Sequence, residues 1–353
     1  MIMEGAYYSG QYLNRLERLG YAQAEIDNKL ESTFEEMFYG PEGVRLCHFA
    51  GPDMMYIEDT GNHDVRTEGM SYAMMFCVQM NRQKEFDCLW RWVVTHMYLT
   101  EGENAGYFAW SCHTDGSKNS DGPAPDGEEF FAMSLFFAAN RWGSGEGVLD
   151  YASWARRILH TCVHKGEEAG SGFPMWNPEN HLIKFVPNCE FTDPSYHLPH
   201  FYELFALWSD ECDRPFWHAA AAASRQYLRK ACHARTGLSA EYAEYDGRPH
   251  RGDQPDRHDW FFSDAYRTLG NIALDAQWFG DKDGWAQETA AHIQQFFEEK
   301  EHGQTNGIYL IDGTPVEGNA LHPVGLLATI AQGSLILDDA CADEWLRRFF
   351  STP

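Results

Sequence analysis

Two kinds of helical segment alternate along the chain. Residues 68–80 and 127–142 are apolar on nearly every side of a helix, a pattern typical of helices surrounded by other helices. Each is followed by a segment with one apolar stripe, which is typical of a helix that buries a single face. The first such stripe consists of Phe86, Leu89, Trp90, Val93, Val94 and Met97. The pattern therefore predicts pairs in which a central helix is followed by a peripheral one.

The same pairing recurs towards the C-terminus. Three more pairs begin near Asp193, Asp264 and Leu321. With starts at 68, 127, 195, 264 and 321, consecutive pairs are 59, 68, 69 and 57 residues apart. A helix around 25–37, together with the residues on either side of it, can supply a sixth pair.

This alternation predicts an all-α fold, an (α/α)6 barrel with six inner and six outer helices. A single catalytic domain over residues 1–353 is expected, with short strands in the glycine-rich connections. A solenoid of helical hairpins is the alternative. Solenoids usually repeat their sequence at shorter periods, and no such repeat is evident here.

Composition excludes several classes of partner. The chain has 27 Lys and Arg against 53 Asp and Glu, a formal net charge of -26, so neither nucleic acid nor a membrane surface is expected as a partner. No signal peptide and no run of 18 apolar residues is visible. The nine scattered cysteines are an odd number and form no CxxC pair, which favours reduced thiols. A cytoplasmic protein is therefore expected.

Four acidic residues stand at or just before the starts of the predicted inner helices: Glu68, Asp126, Asp193 and Asp264. Inner helices of a barrel run parallel to one another, so their N-termini open on one face and these carboxylates should meet there. Each acid on its own can be an ordinary helix N-cap. The presence of all four, with aromatic-rich connections nearby, favours a site.

The aromatic residues of the long connections indicate a sugar ligand. Tyr107, Phe108 and Trp110 fall in residues 104–126, and further aromatic residues fall in 168–194 and 238–260. Trp and Tyr beside carboxylates suit sugar rings, whose C–H faces stack on aromatic planes. The alternative is that these rings cover the ends of the core.

Two carboxylates on opposite sides of a glycosidic bond are the minimum apparatus for hydrolysing it. Glu68 is the better candidate for the general acid because Met70, Tyr72 and Met74 make its surroundings apolar, and desolvation raises the pKa of a carboxyl group. Its place at a helix N-terminus acts in the opposite direction. The substrate is then a small molecule, and neither a metal nor a cofactor is expected.

Two other classes of function stay open on these residues. A sugar epimerase or isomerase would rely on proton transfer by histidine, and a catalytically silent protein would bind oligosaccharide without turnover. His197, His200 and Glu203 are spaced in a way that suggests a metal site. Their i, i+3, i+6 spacing drifts around a helix, so a structural role is favoured.

Three segments resemble glycoside hydrolase family 8. Residues 124–135 (APDGEEFFAMSL) resemble the family signature, with Pro125 where Ser or Thr is common and Glu128 where Asp is common. Residues 67–72 resemble the segment with the family's general acid, and residues 263–267 the one that holds the general base in one branch. The resemblance runs from about residue 40 to residue 330, and it implies an (α/α)6 barrel with an inverting mechanism.

A narrower resemblance, in residues 193–199 and Leu321-His322-Pro323, is to the branch that releases xylose from the reducing end of xylo-oligosaccharides. It implies that the Leu-His-Pro loop closes the cleft beyond subsite +1, so that only one sugar fits on the reducing side. An endo-acting β-1,4-xylanase, glucanase or chitosanase of the same family is the alternative.

The resemblance also implies roles for individual residues. Glu68 would be the general acid and Asp264 the general base, about 6.5–9.5 Å apart as an inverting site requires. Asp126 would bind and help distort the −1 sugar, and Tyr196 would help hold the attacking water. Three weaker candidates for substrate contact are Trp110, Arg267 and His322.

Overall fold

The computed structural model describes residues 3–167, 171–252 and 257–353 and confirms the (α/α)6 barrel. Residues 168–170 and 253–256 of the predicted connections lie outside the described residues. The long helices of the described ranges are, in chain order, α1 (Gln23–Tyr39), α2 (Thr67–Gln79), α3 (Gln83–Trp92), α4 (Pro125–Trp142), α5 (Tyr151–His164), α6 (Pro199–Trp208), α7 (Arg214–Ala231), α8 (Arg267–Phe279), α9 (Trp285–Glu301), α10 (Pro323–Gln332) and α11 (Ala340–Ser351).

Even-numbered helices form the inner layer and odd-numbered helices the outer layer. Consecutive inner helices from α2 to α10 contact one another, and α4 and α6 also pack closely on the outer helices that follow them, α5 and α7. The described ranges thus contain five long inner and six outer helices. Residues 40–66, on one side of α1, form short strands instead of a further long helix.

The inner helices bury more of their surface than the outer ones, as their composition predicts. In α4 every residue from Pro125 to Glu129 and from Phe131 to Phe136 is buried. By contrast, α1 buries only Ile26, Phe34 and Phe38. Helix α2 differs from the prediction in one respect, because Phe76 is 44% exposed and one side of this helix faces solvent.

Two inner helices start a few residues after the predicted positions. Helix α6 begins at Pro199 instead of near 195, and Pro194–Tyr196 form a separate 3-10 turn. The residue before a proline avoids the α-helical region, which explains the break at Leu198. Likewise, Ser263–Tyr266 form a 3-10 turn before α8. The residues expected in the first helical turns thus lie on short turns in front of the helices.

Short strands connect the helices, as expected for the glycine-rich segments. They are β1 (Met3–Glu4), β2 (Cys47–Phe49), β3 (Met55–Ile57), β4 (Asp64–Arg66), β5 (Ser111–His113), β6 (Trp260–Phe261), β7 (Gly280–Asp281), β8 (Ile308–Leu310) and β9 (Pro315–Val316). All pairs are antiparallel: β1 with β7, β2 with β3, β4 with β5, and β8 between β6 and β9. Within the described ranges, none of the helices combines the length and apolar character needed to span a bilayer.

Candidate active site

Glu68 lies in the first turn of α2, directly after strand β4. The backbone N–H of Thr67 donates to the carbonyl of Trp110 at 3.0 Å, which ties the start of α2 to the long connection 104–126. Burial, and next the charge of Asp126, raise the pKa of Glu68 to about 8. The carboxyl group therefore holds its proton at neutral pH, as a general acid requires.

Asp126 lies in the first turn of α4 and is 3% exposed. Its Oδ2 accepts a hydrogen bond from Nη1 of Arg267 at 2.8 Å, and its Oδ1 accepts one from the N–H of Gly127 at 3.0 Å. Burial raises the pKa of Asp126 to about 6, although Arg267 acts to lower it. A Cβ at residue 127 would lie 2.5 Å from Cβ of Thr67, so glycine there permits α4 to approach α2 closely.

Asp264 lies on the 3-10 turn in front of α8. Its Oδ1 is 3.1 Å from Nη2 of Arg267, and its side chain is 33% exposed. The preceding residue, Ser263, has a φ of 44°, a left-handed conformation that is unfavourable for a residue with a side chain. Such strain is often found at functional sites, where the surrounding structure holds a side chain in a required direction.

Arg267 contacts side chains from several of the inner helices and the turns in front of them. Besides its ion pairs with Asp126 and Asp264, its Nη1 donates to the hydroxyl of Tyr72 at 2.8 Å. Its guanidinium group lies 5.6 Å from the ring centroid of Tyr196, within cation–π range. Burial acts against the charge of Arg267, but these neighbours raise its pKa and keep it cationic.

Asp193 and Tyr196 bracket the 3-10 turn in front of α6, and both are buried. Oδ1 of Asp193 accepts from the N–H of Ser195 at 2.6 Å, whereas its Oδ2 is buried without a hydrogen-bond partner. Burial and the charge of Asp264 raise the pKa of Asp193. Burial and the charges of Asp126, Asp264 and Asp193 raise the pKa of Tyr196, so its hydroxyl stays protonated near these carboxylates.

One cavity of about 750 Å³ joins several of the predicted residues. Its lining includes Glu68, Asp264 and Arg267, together with Leu321 and His322 from the start of α10. The side chains of Asp126 and Tyr196 contact Arg267. The carboxylates predicted to converge at the N-terminal ends of the inner helices are therefore neighbours in space.

Trp110 lies next to Arg66, in the long connection that is tied to the start of α2. It is half-buried, and the guanidinium group of Arg66 lies 5.2 Å from its ring centroid. Arg66 in turn is held by Asp64 through a hydrogen bond of 3.0 Å from its Nε. Arg66 lines the cavity and was not singled out from the sequence. Its place directly before the general-acid segment is the signal that would have identified it.

The interpretation of the connection aromatics as sugar platforms is wrong for three of them. Tyr107 and Phe108 are completely buried, and Trp176 is 1% exposed. Phe108 packs against Trp90 and Phe131 in the core. The alternative interpretation, that such rings cover the ends of the core, is the one that fits these positions.

The structure separates the side chains of His197, His200 and Glu203. His197 makes hydrogen bonds with Thr192 and Ser224, and Glu203 forms an ion pair with Arg225. Burial lowers the pKa of both His197 and His200 to about 3, so both rings are neutral. The favoured structural role is therefore supported over a metal site.

This arrangement places a protonated carboxyl group, Glu68, and a second acidic side chain, Asp264, in one cavity with the guanidinium group of Arg267. Glu68 carries a proton at neutral pH, whereas Asp264 is a third exposed and is paired with Arg267. Groups of this kind can donate one proton and accept another across a bound molecule.

Comparison with known proteins gives a consistent result. Residues 17–336 match the model of glycosyl hydrolases family 8. The chain is 53% identical to a reducing end xylose-releasing exo-oligoxylanase of Halalkalibacterium halodurans, over 99% of this chain and 89% of that protein. A protein of the same description from Bifidobacterium adolescentis is 53% identical over 95% of this chain and 88% of its own length.

Solved structures resemble this chain equally closely. Rex8A of Paenibacillus barcinonensis, solved as a variant in complex with 3(3)-alpha-L-arabinofuranosyl-xylotetraose, superposes with a TM-score of 0.96 and is 53% identical. The match covers 99% of this chain and 91% of that one.

Proposed function

Because the chain belongs to glycosyl hydrolases family 8, we propose that its cavity binds xylo-oligosaccharides and that Glu68 and Asp264 catalyse hydrolysis there. The protein is a glycoside hydrolase that releases xylose from the reducing end of its substrate. The identity of 53% with exo-oligoxylanases over nearly the whole chain supports this reaction. The observation that carries the catalytic assignment is the shared cavity of Glu68 and Asp264, with a pKa of Glu68 near 8.

In the proposed reaction, Glu68 donates its proton to the glycosidic oxygen as the bond from C1 of the −1 sugar to that oxygen breaks. Asp264 takes a proton from a water molecule, whose oxygen forms the new bond to C1 on the opposite face. The anomeric configuration is therefore inverted. Exchange with solvent then returns a proton to Glu68 and removes one from Asp264.

The neighbouring groups support this division of roles. Arg267 pairs with both Asp126 and Asp264 and so restricts the position of the Asp264 side chain. We assign to Asp126 the binding and distortion of the −1 sugar, and to the Tyr196 hydroxyl the positioning of water near Asp264. Arg66 lines the cavity beside Glu68 and lies over the ring of Trp110, so we assign to Trp110 the positioning of Arg66.

The start of α10 is the proposed cause of exo specificity. Leu321 and His322 line the same cavity as the two catalytic carboxylates, and Leu321 is 53% exposed. We propose that a single sugar ring at subsite +1 packs against this leucine, because covering an exposed apolar side chain is favourable in water. His322 lines the cavity next to Leu321, and we assign to it the binding of the reducing-end hydroxyl of that sugar.

The reaction is tested by proton NMR with xylotriose labelled at its reducing-end anomeric carbon. We expect labelled free xylose together with unlabelled xylobiose that appears first as the α-anomer. Label retained in xylobiose would mean attack from the other end, and a β-anomer first would exclude inversion. Turnover of glucan or chitosan in place of xylotriose would favour the endo-acting alternative.

The catalytic assignment is tested with Glu68→Gln and Asp264→Asn. Each should lower kcat by about 100- to 10,000-fold, since positioned acids and bases contribute that much, while thermal unfolding stays close to wild type. Glu85→Gln is the matched control, because Glu85 is also a buried carboxyl in the first turn of a helix but bonds to Tyr39 away from the cavity. Wild-type turnover in either catalytic variant would contradict the assignment.

The role of the loop is tested with Leu321→Ala. This truncation should open the +1 end of the cleft, so that products longer than xylose are released from the reducing end. Val324→Ala is the control, because Val324 is 62% exposed one turn further along and does not line the cavity. An unchanged product pattern in Leu321→Ala would count against the proposed block.

We also propose a cytoplasmic location. All nine cysteines are free thiols, and five of the six that are buried lie in the core cluster around α2, α3 and α5. Free thiols persist in reducing compartments. Fractionation of the source cells, with activity in the cell lysate and not in the medium, is the expected result.

A further inference from the structure

A second group of polar side chains lies on the outer layer of the barrel. His160 and His164 lie on α5, and Asp213 directly precedes α7. None of the three lines the catalytic cavity. We propose that these three side chains form a binding site for one divalent transition-metal ion, with Zn²⁺ as the preferred ion, that links α5 to the start of α7.

The two histidines are presented together by the helix. Residues four apart lie on the same face of a helix, and the ring centroids of His160 and His164 are 4.4 Å apart. Their side chains are 44% and 29% exposed, so an ion can reach them from solvent. Asp213 beneath them is only 2% exposed and is held in place by the surrounding chain.

The ligand atoms are already close to the separations that one ion requires. Nδ1 of His160 is 3.2 Å from Oδ2 of Asp213, and Nε2 of His164 is 2.8 Å from Oδ1. Ligand atoms from all three residues lie within 4.8 Å of one another. Zinc–nitrogen distances of about 2.0–2.1 Å in a tetrahedron place ligands about 3.3 Å apart. An ion can therefore take the place of the bridging protons with small side-chain movements.

The types of donor select the class of metal. Two imidazole nitrogens and one carboxylate oxygen suit Zn²⁺, Ni²⁺ or Co²⁺, whereas Mg²⁺ and Ca²⁺ prefer oxygen ligands throughout. Three protein ligands leave a fourth position for water.

Glu167 supplies an outer carboxylate of the kind that commonly accepts the second ring N–H of a metal-binding histidine. Its Oε2 is 2.8 Å from Nδ1 of His164, the ring nitrogen on the side away from Asp213. A carboxylate that accepts the N–H of one ring nitrogen leaves the lone pair of the other for a metal and fixes the orientation of the ring.

Isothermal titration of the chelator-treated full chain with ZnCl2 tests this site. We expect one Zn²⁺ per chain, and at least about 100-fold weaker binding in His160→Gln/His164→Gln, because even loss of an outer partner of a metal ligand costs 10- to 100-fold. Glu167→Gln should weaken binding by about 10- to 100-fold without changing the stoichiometry. His218→Gln is the control, since His218 is a 77% exposed histidine on α7.

Two further measurements distinguish binding by these three side chains from binding by a neighbouring thiol. Cys212 lies next to Asp213 and is exposed, so Cys212→Ser should keep full Zn²⁺ binding. Zn²⁺ should raise the Tm of the wild type but not of the double histidine variant, while xylotriose turnover of the double variant shows that it is folded. Absence of stoichiometric binding, its survival in the double variant, or its loss in Cys212→Ser alone would each overturn the proposal.

Discussion

Arg267 determines how the acidic groups of the cleft can differ in protonation. It pairs with Asp126 and Asp264 but makes no direct bond with the side chain of Glu68 among the contacts of the described residues. Burial raises the pKa of Glu68 to about 8, and the same influence takes Asp126 only to about 6 because Arg267 is bonded to it. Of these two carboxyl groups, Glu68 therefore keeps its proton to the higher pH, as a general acid requires.

The activity should depend on pH through Glu68. A carboxyl group whose pKa is raised to about 8 is protonated below that pH and ionised above it. We therefore expect kcat/KM for xylotriose to fall as the pH rises through about 8, tenfold per pH unit beyond it. The measurement is a pH profile of kcat/KM in the range where thermal unfolding shows the protein to be native. An alkaline limit below pH 6 would contradict the role of Glu68.

Removing the charge of Arg267 should shift this profile. Arg267 lowers the pKa of both Glu68 and Asp126, so Arg267→Gln raises both and moves the alkaline limit to higher pH. Maximal kcat should also fall, because Asp264 loses the partner that positions it. Arg267→Lys keeps a positive charge and should shift the limit less. A profile that moves to lower pH in Arg267→Gln would contradict this account.

For individual residues, the sequence predicts which acidic groups lie in the cleft, but it does not predict which side chains contact them. The positions of Glu68, Asp126 and Asp264 follow from where apolar helices begin, which is a local pattern. The pairing of Arg267 with Asp126, which is 141 residues away, depends on the packing of inner helices against one another, so only the three-dimensional structure gives it. The same limit explains why Tyr107 was wrongly expected to contact a sugar.

Proline residues mark where two of the inner helices start. Helix α4 has Pro125 at its first position, which is a favourable place for proline, and its start agrees with the pattern. Helix α6 starts four residues after the predicted position because Pro199 separates it from the turn that holds Tyr196. Apolar residues continue through that turn, so the pattern of apolar positions does not show where the turn ends and the helix begins.

Helix α4 also carries a buried acid that is not part of the proposed reaction. Glu128 is 1% exposed; its Oε1 accepts the N–H of Phe108 at 3.0 Å, while its Oε2 has no hydrogen-bond partner. Burial raises the pKa of Glu128 well above 4.5. Above pH 4.5 the unfolded chain ionises at this position and the folded protein does not, so this group makes stability fall as the pH rises.

Glu128→Gln should remove this pH dependence. Its stability relative to wild type should increase with pH above 4.5, by up to about 1.4 kcal/mol per pH unit, until the pKa of Glu128 in the folded state is reached. Urea unfolding at several pH values measures the difference. Glu299→Gln on the exposed side of α9 is the control and should show a much smaller trend. A constant difference between pH 5 and 8 would show that Glu128 is ionised in the folded protein.

The ring of outer helices is closed by contacts between the two ends of the chain. Lys29 on α1 donates to the carbonyls of Phe350 and Thr352 at 2.8 and 2.6 Å, and the buried Arg15 pairs with Asp338 and Asp343. The periodic pattern predicted a barrel because its pairs are evenly spaced. The absence of a sixth long inner helix among the described residues could not be predicted from helical periodicity, since residues 40–66 form three short strands. Of these, β2 and β3 pair with each other and β4 pairs with β5 in the long connection 104–126.

The prediction of one catalytic domain over residues 1–353 can be tested by unfolding. The core consists of two hydrophobic clusters, one from Phe34 to Ala221 and the other from Leu182 to Trp345. They are joined by Arg225 on α7, which pairs with Glu203 and with Asp275, and by the bond from Asn271 to the carbonyl of Ser195. Side chains of one half of the ring are thus bonded to the other half.

We therefore expect a single unfolding transition, with tryptophan fluorescence and far-UV circular dichroism changing together. Arg225→Met should lower the Tm of that single transition for both probes, because it removes the guanidinium partner of two poorly exposed carboxylates. Arg229→Met is the matched control on the same helix. Its partner Asp283 is 60% exposed, and a pair of that kind contributes about 0–1 kcal/mol. Two separate transitions in the wild type would show that the clusters fold independently and that the chain comprises more than one domain.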